Sequence, residues 1–126
     1  MKEGTQSSPS FAYHLRELGR KSISQVTNLA FFRARHGQSE ALGAALAALV
    51  GPTRLETGCL NYDLHRSVDD ADVWFVYENW RSPEGFDAHM RSEHLQAFLK
   101  ATPDLVAGDI DLRRFRMISI AATRRS

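Results

Sequence analysis

One cysteine, Cys59, is the whole thiol content of the 126 residues. An intrachain disulfide framework and a cysteine-rich zinc module are therefore excluded. A lone thiol suits a reducing compartment, so a cytoplasmic location is expected. No run of 18 apolar residues occurs, and no membrane-spanning helix is expected. No short apolar block follows a basic start, and no secretory leader is expected. A Gly-rich dinucleotide loop, internal repeats and low-complexity tracts are also lacking. Neither sign of charge dominates: 16 Lys and Arg face 15 Asp and Glu. The surplus sits at the ends, with +2 on residues 1–24 and +2 on 118–126, which leaves residues 25–117 at −3. An acidic middle is a poor match for nucleic acid. What remains is 43% hydrophobic and 25% charged, a composition that fits one globular domain.

Residues 1–24 read as an N-terminal extension: a polar start, then a short helix in which Phe11, Leu15 and Leu18 recur at helical spacing. Residues 118–126 read as a tail. Between them two periods alternate. Residues 25–35 are rich in β-branched and aromatic side chains and form a strand. Leu42, Ala45, Leu46, Leu49 and Val50 make one helical stripe, which Gly51-Pro52 ends or bends. Cys59 to Arg66 and Asp72 to Trp80 pair as a hairpin around Asp69-Asp70. Ser82-Pro83-Glu84 starts a helix carrying Phe86, His89 and Met90 on one face. Ser92 caps another, with Leu95, Phe98 and Leu99 inward, which Thr102-Pro103 ends. Residues 108–118 supply the last strand. The order β-α-β-β-α-β predicts an α+β, ferredoxin-like fold: a four-stranded antiparallel sheet with helices on one face.

The other sheet face is a problem. Val26, Asn28, Ala30 and Phe32 point one way, and Thr27, Leu29, Phe31 and Arg33 the other. Both sides carry large apolar groups, yet the helices can cover only one. The second face, including Leu29 and Phe31, is expected to pack on a second copy, giving a homodimer.

Three stretches carry a family resemblance: residues 53–66, ending Glu56-Thr57-Gly58-Cys59-Leu60 and Tyr62-Asp63-Leu64-His65-Arg66; Glu78-Asn79-Trp80-Arg81-Ser82; and Phe86-Asp87-Ala88-His89-Met90-Arg91-Ser92-Glu93-His94. Together they resemble the antibiotic biosynthesis monooxygenase (ABM) domain family over residues 25–117. The Glu-x-Trp segment followed by His-x4-His is the specific part. The resemblance implies a dimeric α/β barrel of two ferredoxin-like subunits. It also implies oxidation of an aromatic, quinol or polyketide-like molecule by dioxygen, often without metal or flavin. Two alternatives are an enzyme that isomerises or processes a small metabolite on the same barrel, and a non-catalytic small-ligand-binding barrel.

Cofactor-free oxygenation needs a dry pocket, a base for the substrate proton and a donor for the resulting oxyanion. His89 is the candidate base, since an imidazole exchanges protons near neutral pH. Trp80 could stack on a flat substrate and donate its N–H. Glu78 could orient His89, and Asn28 could hold a substrate oxygen. His94, Phe86, Val76 and Phe32 are candidate pocket residues. For each the alternative is a structural role in the core. Phe86 departs from the family, whose polyketide-oxidising members carry Tyr there. Three histidines, His65 among them, raise the question of a metal. Placed on one helix, however, His89 and His94 are separated by about 140° and diverge, and no His-x3-His pair exists. Leu99 falls where heme-degrading relatives carry the axial His. No metal, flavin or heme is expected. Cys59 reads as a small buried hydrophobe.

Overall fold

A computed structural model describes residues 25–120. Four strands and three helices alternate along them: β1 (Val26–Arg33), α1 (Ser39–Arg54), β2 (Cys59–Arg66), β3 (Val73–Trp80), α2 (Pro83–Met90), α3 (Glu93–Leu105) and β4 (Asp111–Phe115). The expected extension helix and most of the expected tail lie outside the described residues. The strands form one antiparallel sheet in the order β2-β3-β1-β4. This is the ferredoxin-like fold read from the sequence. β4 is shorter than the 108–118 segment expected for it.

Alternation along β1 sets the layers. Val26, Asn28, Ala30 and Phe32 are buried under the helices, whereas Thr27, Leu29 and Phe31 are only half-buried on the open side. The core joins the inner strand positions Tyr62, Val76 and Trp80 to Leu42, Leu46 and Leu49 of α1, Phe86 of α2, and Leu95 and Phe98 of α3. Register puts Phe75 and Tyr77 of β3 opposite Phe31 and Leu29 on the open side. Phe31 and Phe75 stack there at 4.9 Å.

The helix expected to end or bend at Gly51-Pro52 and the one expected to end at Thr102-Pro103 both run on past the proline. α1 continues through Pro52 to Arg54, and α3 continues through Pro103 to Leu105. A proline removes one N–H bond, but here each lies in the last turn, where tertiary packing outweighs it. Thr53 is fully buried, and Leu105 packs on the core. The α1 turn then closes through the Leu55 N–H on the Pro52 carbonyl and the Glu56 N–H on the Thr53 carbonyl. That closure fixes where Glu56 emerges.

Candidate functional site

α2 begins where the sequence places it. Ser82 accepts a hydrogen bond from the Gly85 N–H, and Pro83 occupies the first turn. Backbone contact then sets its height over the sheet. A Cβ on Gly58 would stand 2.7 Å from the Gly85 Cα. Glycine at both positions lets the start of α2 touch the loop before β2. That loop carries Glu56, so the approach brings it under the helix that carries His89.

The chain breaks between α2 and α3. Ser92 donates its hydroxyl to the His89 carbonyl (2.7 Å) and accepts from the Leu95 N–H (3.2 Å). The axis turns there, which overturns the single-helix geometry predicted for the two histidines. His89 and His94 do not diverge: their rings lie 5.9 Å apart and meet at one carboxylate oxygen. His89 Nδ1 is 2.8 Å, and His94 Nε2 2.7 Å, from Glu56 Oε2. With the shared carboxylate oxygen accepting, each ring presents an N–H to it. His89 is then left with its lone pair on Nε2. Burial holds the imidazole below its ordinary pKa, against the opposing pull of Glu56, which keeps it a neutral base. His89 is buried, while His94 and Glu56 are part-exposed.

His89 also lines an apolar cavity of about 80 Å³ between the helices and the sheet, with Phe32, Glu78, Phe86, Tyr62, Leu112 and others as walls. Glu78 is 3% exposed. Burial pushes its carboxyl up to about 7, with the Trp80 N–H and the Asn28 amide working the other way. Burial likewise pushes the Tyr62 phenol well above its ordinary value. The cavity therefore holds a neutral imidazole, a carboxyl that titrates near neutrality and a phenol that keeps its proton.

The expected site residues separate into three groups. His89, Glu78, Phe86 and Phe32 wall the cavity. His94 joins the site through Glu56. Trp80, Asn28 and Val76 are buried beside it but are not among its walls. Trp80 stacks at 4.8 Å on the His89 ring and spends its N–H on Glu78 Oε1 at 2.6 Å. Asn28 pairs in register with Glu78 and turns its amide toward that carboxyl, near enough to favour its ionised form though outside ordinary hydrogen-bond geometry. The partner orienting His89 is Glu56 and not Glu78. Sequence reasoning missed that role, although Glu56 stood inside a quoted motif. Two histidines flanking a helix cap were the available signal, since both need a partner.

Glu56, His89 and His94 are also the residues that could hold a metal ion, with donor atoms within 4.8 Å of one another. Their geometry is that of hydrogen bonding, since one oxygen serves both rings. Cys59 is half-buried, and burial pushes its thiol up to about 11, which makes it an inert group.

A family model described as "Antibiotic biosynthesis monooxygenase" matches residues 25–101. The chain is 39% identical over 71 residues to the "Putative monooxygenase Rv0793" of Mycobacterium tuberculosis, covering 56% of this chain and 69% of that protein. The solved structure of Rv0793 superposes with a TM-score of 0.74 at 30% identity, over 79% of this chain and 100% of that one. PA3566 from Pseudomonas aeruginosa gives a TM-score of 0.73 at 31% identity, over 76% and 96% of the two chains.

Proposed function

The chain belongs to the antibiotic biosynthesis monooxygenase family, and from that premise we propose that it oxidises an electron-rich aromatic, quinol or polyketide-like molecule with dioxygen, without metal, flavin or heme. The observation that carries this reading is the buried His89, tied to Glu56 at Nδ1 and lining an apolar cavity. His89 Nε2 takes the acidic C–H or O–H proton of the substrate. The resulting anion passes one electron to dioxygen, and the radical pair combines as a carbon-bound peroxide. Glu78, whose carboxyl burial pushes up to about 7, returns a proton to that peroxide. Loss of water leaves a ketone, with one oxygen atom in the product and one in water. Trp80 positions Glu78 through its N–H. Apolar walls keep the anion from bulk water, which strengthens every charge interaction inside.

The same proposal makes the protein a homodimer. The open sheet face supports it: Leu29, Phe31, Phe75, Tyr77 and Phe115 lie on that side of the sheet, and none of the described residues forms a layer over them. None of the helices among the described residues is long and apolar enough to cross a membrane. The free, unreactive thiol agrees with the cytoplasm as its location.

Dioxygen uptake tests the chemistry. A panel of hydroquinones, naphthohydroquinones and anthrones is presented to metal-free protein. Uptake of one dioxygen per ketone formed is expected. Hydrogen–deuterium exchange into a substrate without dioxygen uptake would instead assign enolisation and overturn the oxygenase reading.

A further inference from the structure

Three side chains from three parts of the chain meet at one point. Glu56 comes from the turn after α1, His89 from the last turn of α2 and His94 from the first turn of α3. Backbone bonds hold the turn that carries Glu56: its N–H is bound to the Thr53 carbonyl, and its own carbonyl accepts from the Cys59 N–H. The break at Ser92 brings the two rings together. With one donor atom from each residue, the three lie within 4.8 Å of one another.

Two imidazole nitrogens and a carboxylate oxygen are the donor set of a zinc ion held by three protein ligands, with a fourth position left for water. Calcium and magnesium ask for oxygen ligands throughout, whereas imidazole suits the later transition metals. Tetrahedral coordination at about 2.0–2.2 Å sets donors about 3.3 Å apart. The two nitrogens now stand 2.8 and 2.7 Å from Glu56 Oε2, so each pair must open by about half an ångström. His94 can supply that movement. Its side chain is 23% exposed and that of Glu56 16%, while His89 is held at 3%. The same exposure gives an ion its way in.

Protons move when the ion enters. Without it each ring presents an N–H to the carboxylate, and His89 keeps its lone pair on Nε2. A ligating nitrogen must offer a lone pair. The His89 proton therefore leaves Nδ1 and one is taken up at Nε2, by exchange with water. His94 shifts from Nε2 to Nδ1 in the same way. Both rings stay neutral, and no net proton is released. The His89 nitrogen left to the cavity is then an N–H donor and no longer a base.

We propose that Glu56, His89 and His94 form a binding site for a divalent transition-metal ion, zinc above all, and that its occupation turns His89 from a proton acceptor into a donor toward the cavity. The ion site rests on the three side chains alone. Its inhibitory effect rests on the reading of His89 as the base, for which the metal-free protein is the active form.

Titration of metal-free protein with Co²⁺, followed by the visible absorption of four-coordinate cobalt, tests the site. One ion per chain is expected there, displaced by Zn²⁺. His94→Gln and Glu56→Gln should each weaken binding by about 10-fold or more, and His65→Gln, at the exposed histidine of β2, should leave it unchanged. ¹⁵N NMR of native protein reads the tautomer and needs no variant to fold: on addition of Zn²⁺ the His89 proton should move from Nδ1 to Nε2. Absence of four-coordinate cobalt, binding that survives both substitutions, or a His89 that keeps its Nδ1 proton at saturating Zn²⁺ would overturn the proposal. Zn²⁺ should also slow dioxygen uptake by about 10-fold or more, reversibly on chelation. A switched tautomer with undiminished uptake would sustain the site and defeat His89 as the base.

Discussion

Glu78 is a carboxyl that its surroundings hold at about 7 against an ordinary 4.5. Between those values the native protein binds more protons than the unfolded chain, so stability falls as pH rises through that window. The full cost, about 3 kcal/mol, is reached above pH 7. Glu78→Gln keeps an oxygen for the Trp80 N–H and removes the charge. Chemical denaturation should find the variant close to native at pH 4.5 and more stable by up to about 3 kcal/mol at pH 8. A difference that does not change with pH would show that the carboxyl is not shifted. Glu56 acts through His89. Glu56→Gln presents an amide where two imidazoles now share a carboxylate, and should lower kcat by about 10-fold or more while sparing KM, because the base loses its orienting charge. An unchanged kcat would remove Glu56 from the mechanism. At this scale the sequence was only partly readable. His89, Glu78 and the aromatic walls stood out as polar or bulky groups on inner faces. Glu56 sits in a loop, where no periodicity marks direction, and only the fold brings it to the histidines.

The elements were more legible than the residues, because each has a period and a punctuation mark. β1 announces itself by β-branched and aromatic content, and β2 by the turn residue Gly58 before it. Ser82-Pro83 and Ser92 mark two helix starts that the structure reproduces. Pro103 misled, since a proline signals a helix end locally while burial of the last turn is a tertiary matter. The break at Ser92 was visible as a cap, yet its consequence for His89 and His94 was not, because angle arithmetic on one axis fails once there are two. Ser92→Ala should therefore cost about 1 kcal/mol in thermal or chemical unfolding and lower activity as well, since the cap holds the two rings in place. Stability loss with full activity would show that the site tolerates the loosened turn. The Gly58–Gly85 approach has a sharper consequence. Gly58→Ala puts a methyl group 2.7 Å from backbone, so α2 must move. A loss of about 1–3 kcal/mol is expected in urea denaturation, and an unaffected midpoint would mean that the contact is soft.

For the whole molecule, the doubly apolar sheet was the clearest message of the alternation in β1 and β3. The structure leaves its open side uncovered among the described residues, as the sequence implies, and the partner copy is the proposal that answers it. Light scattering should find a dimer that persists on dilution, and Phe31→Glu should yield a folded monomer. A native monomer would refute this. Family membership and fold were readable because motif and topology agree. The substrate was not, because no period or motif singles out the groups that would select it. The central claim is that the Glu56-bound His89 is the base of an oxidation inside the cavity. The most direct test is the dioxygen-uptake rate of His89→Ala beside native protein on the best substrate of the panel. The account predicts a fall of about 10²-fold or more in a protein that stays folded. A full rate accompanied by a lower melting temperature would make His89 a core histidine and contradict the account.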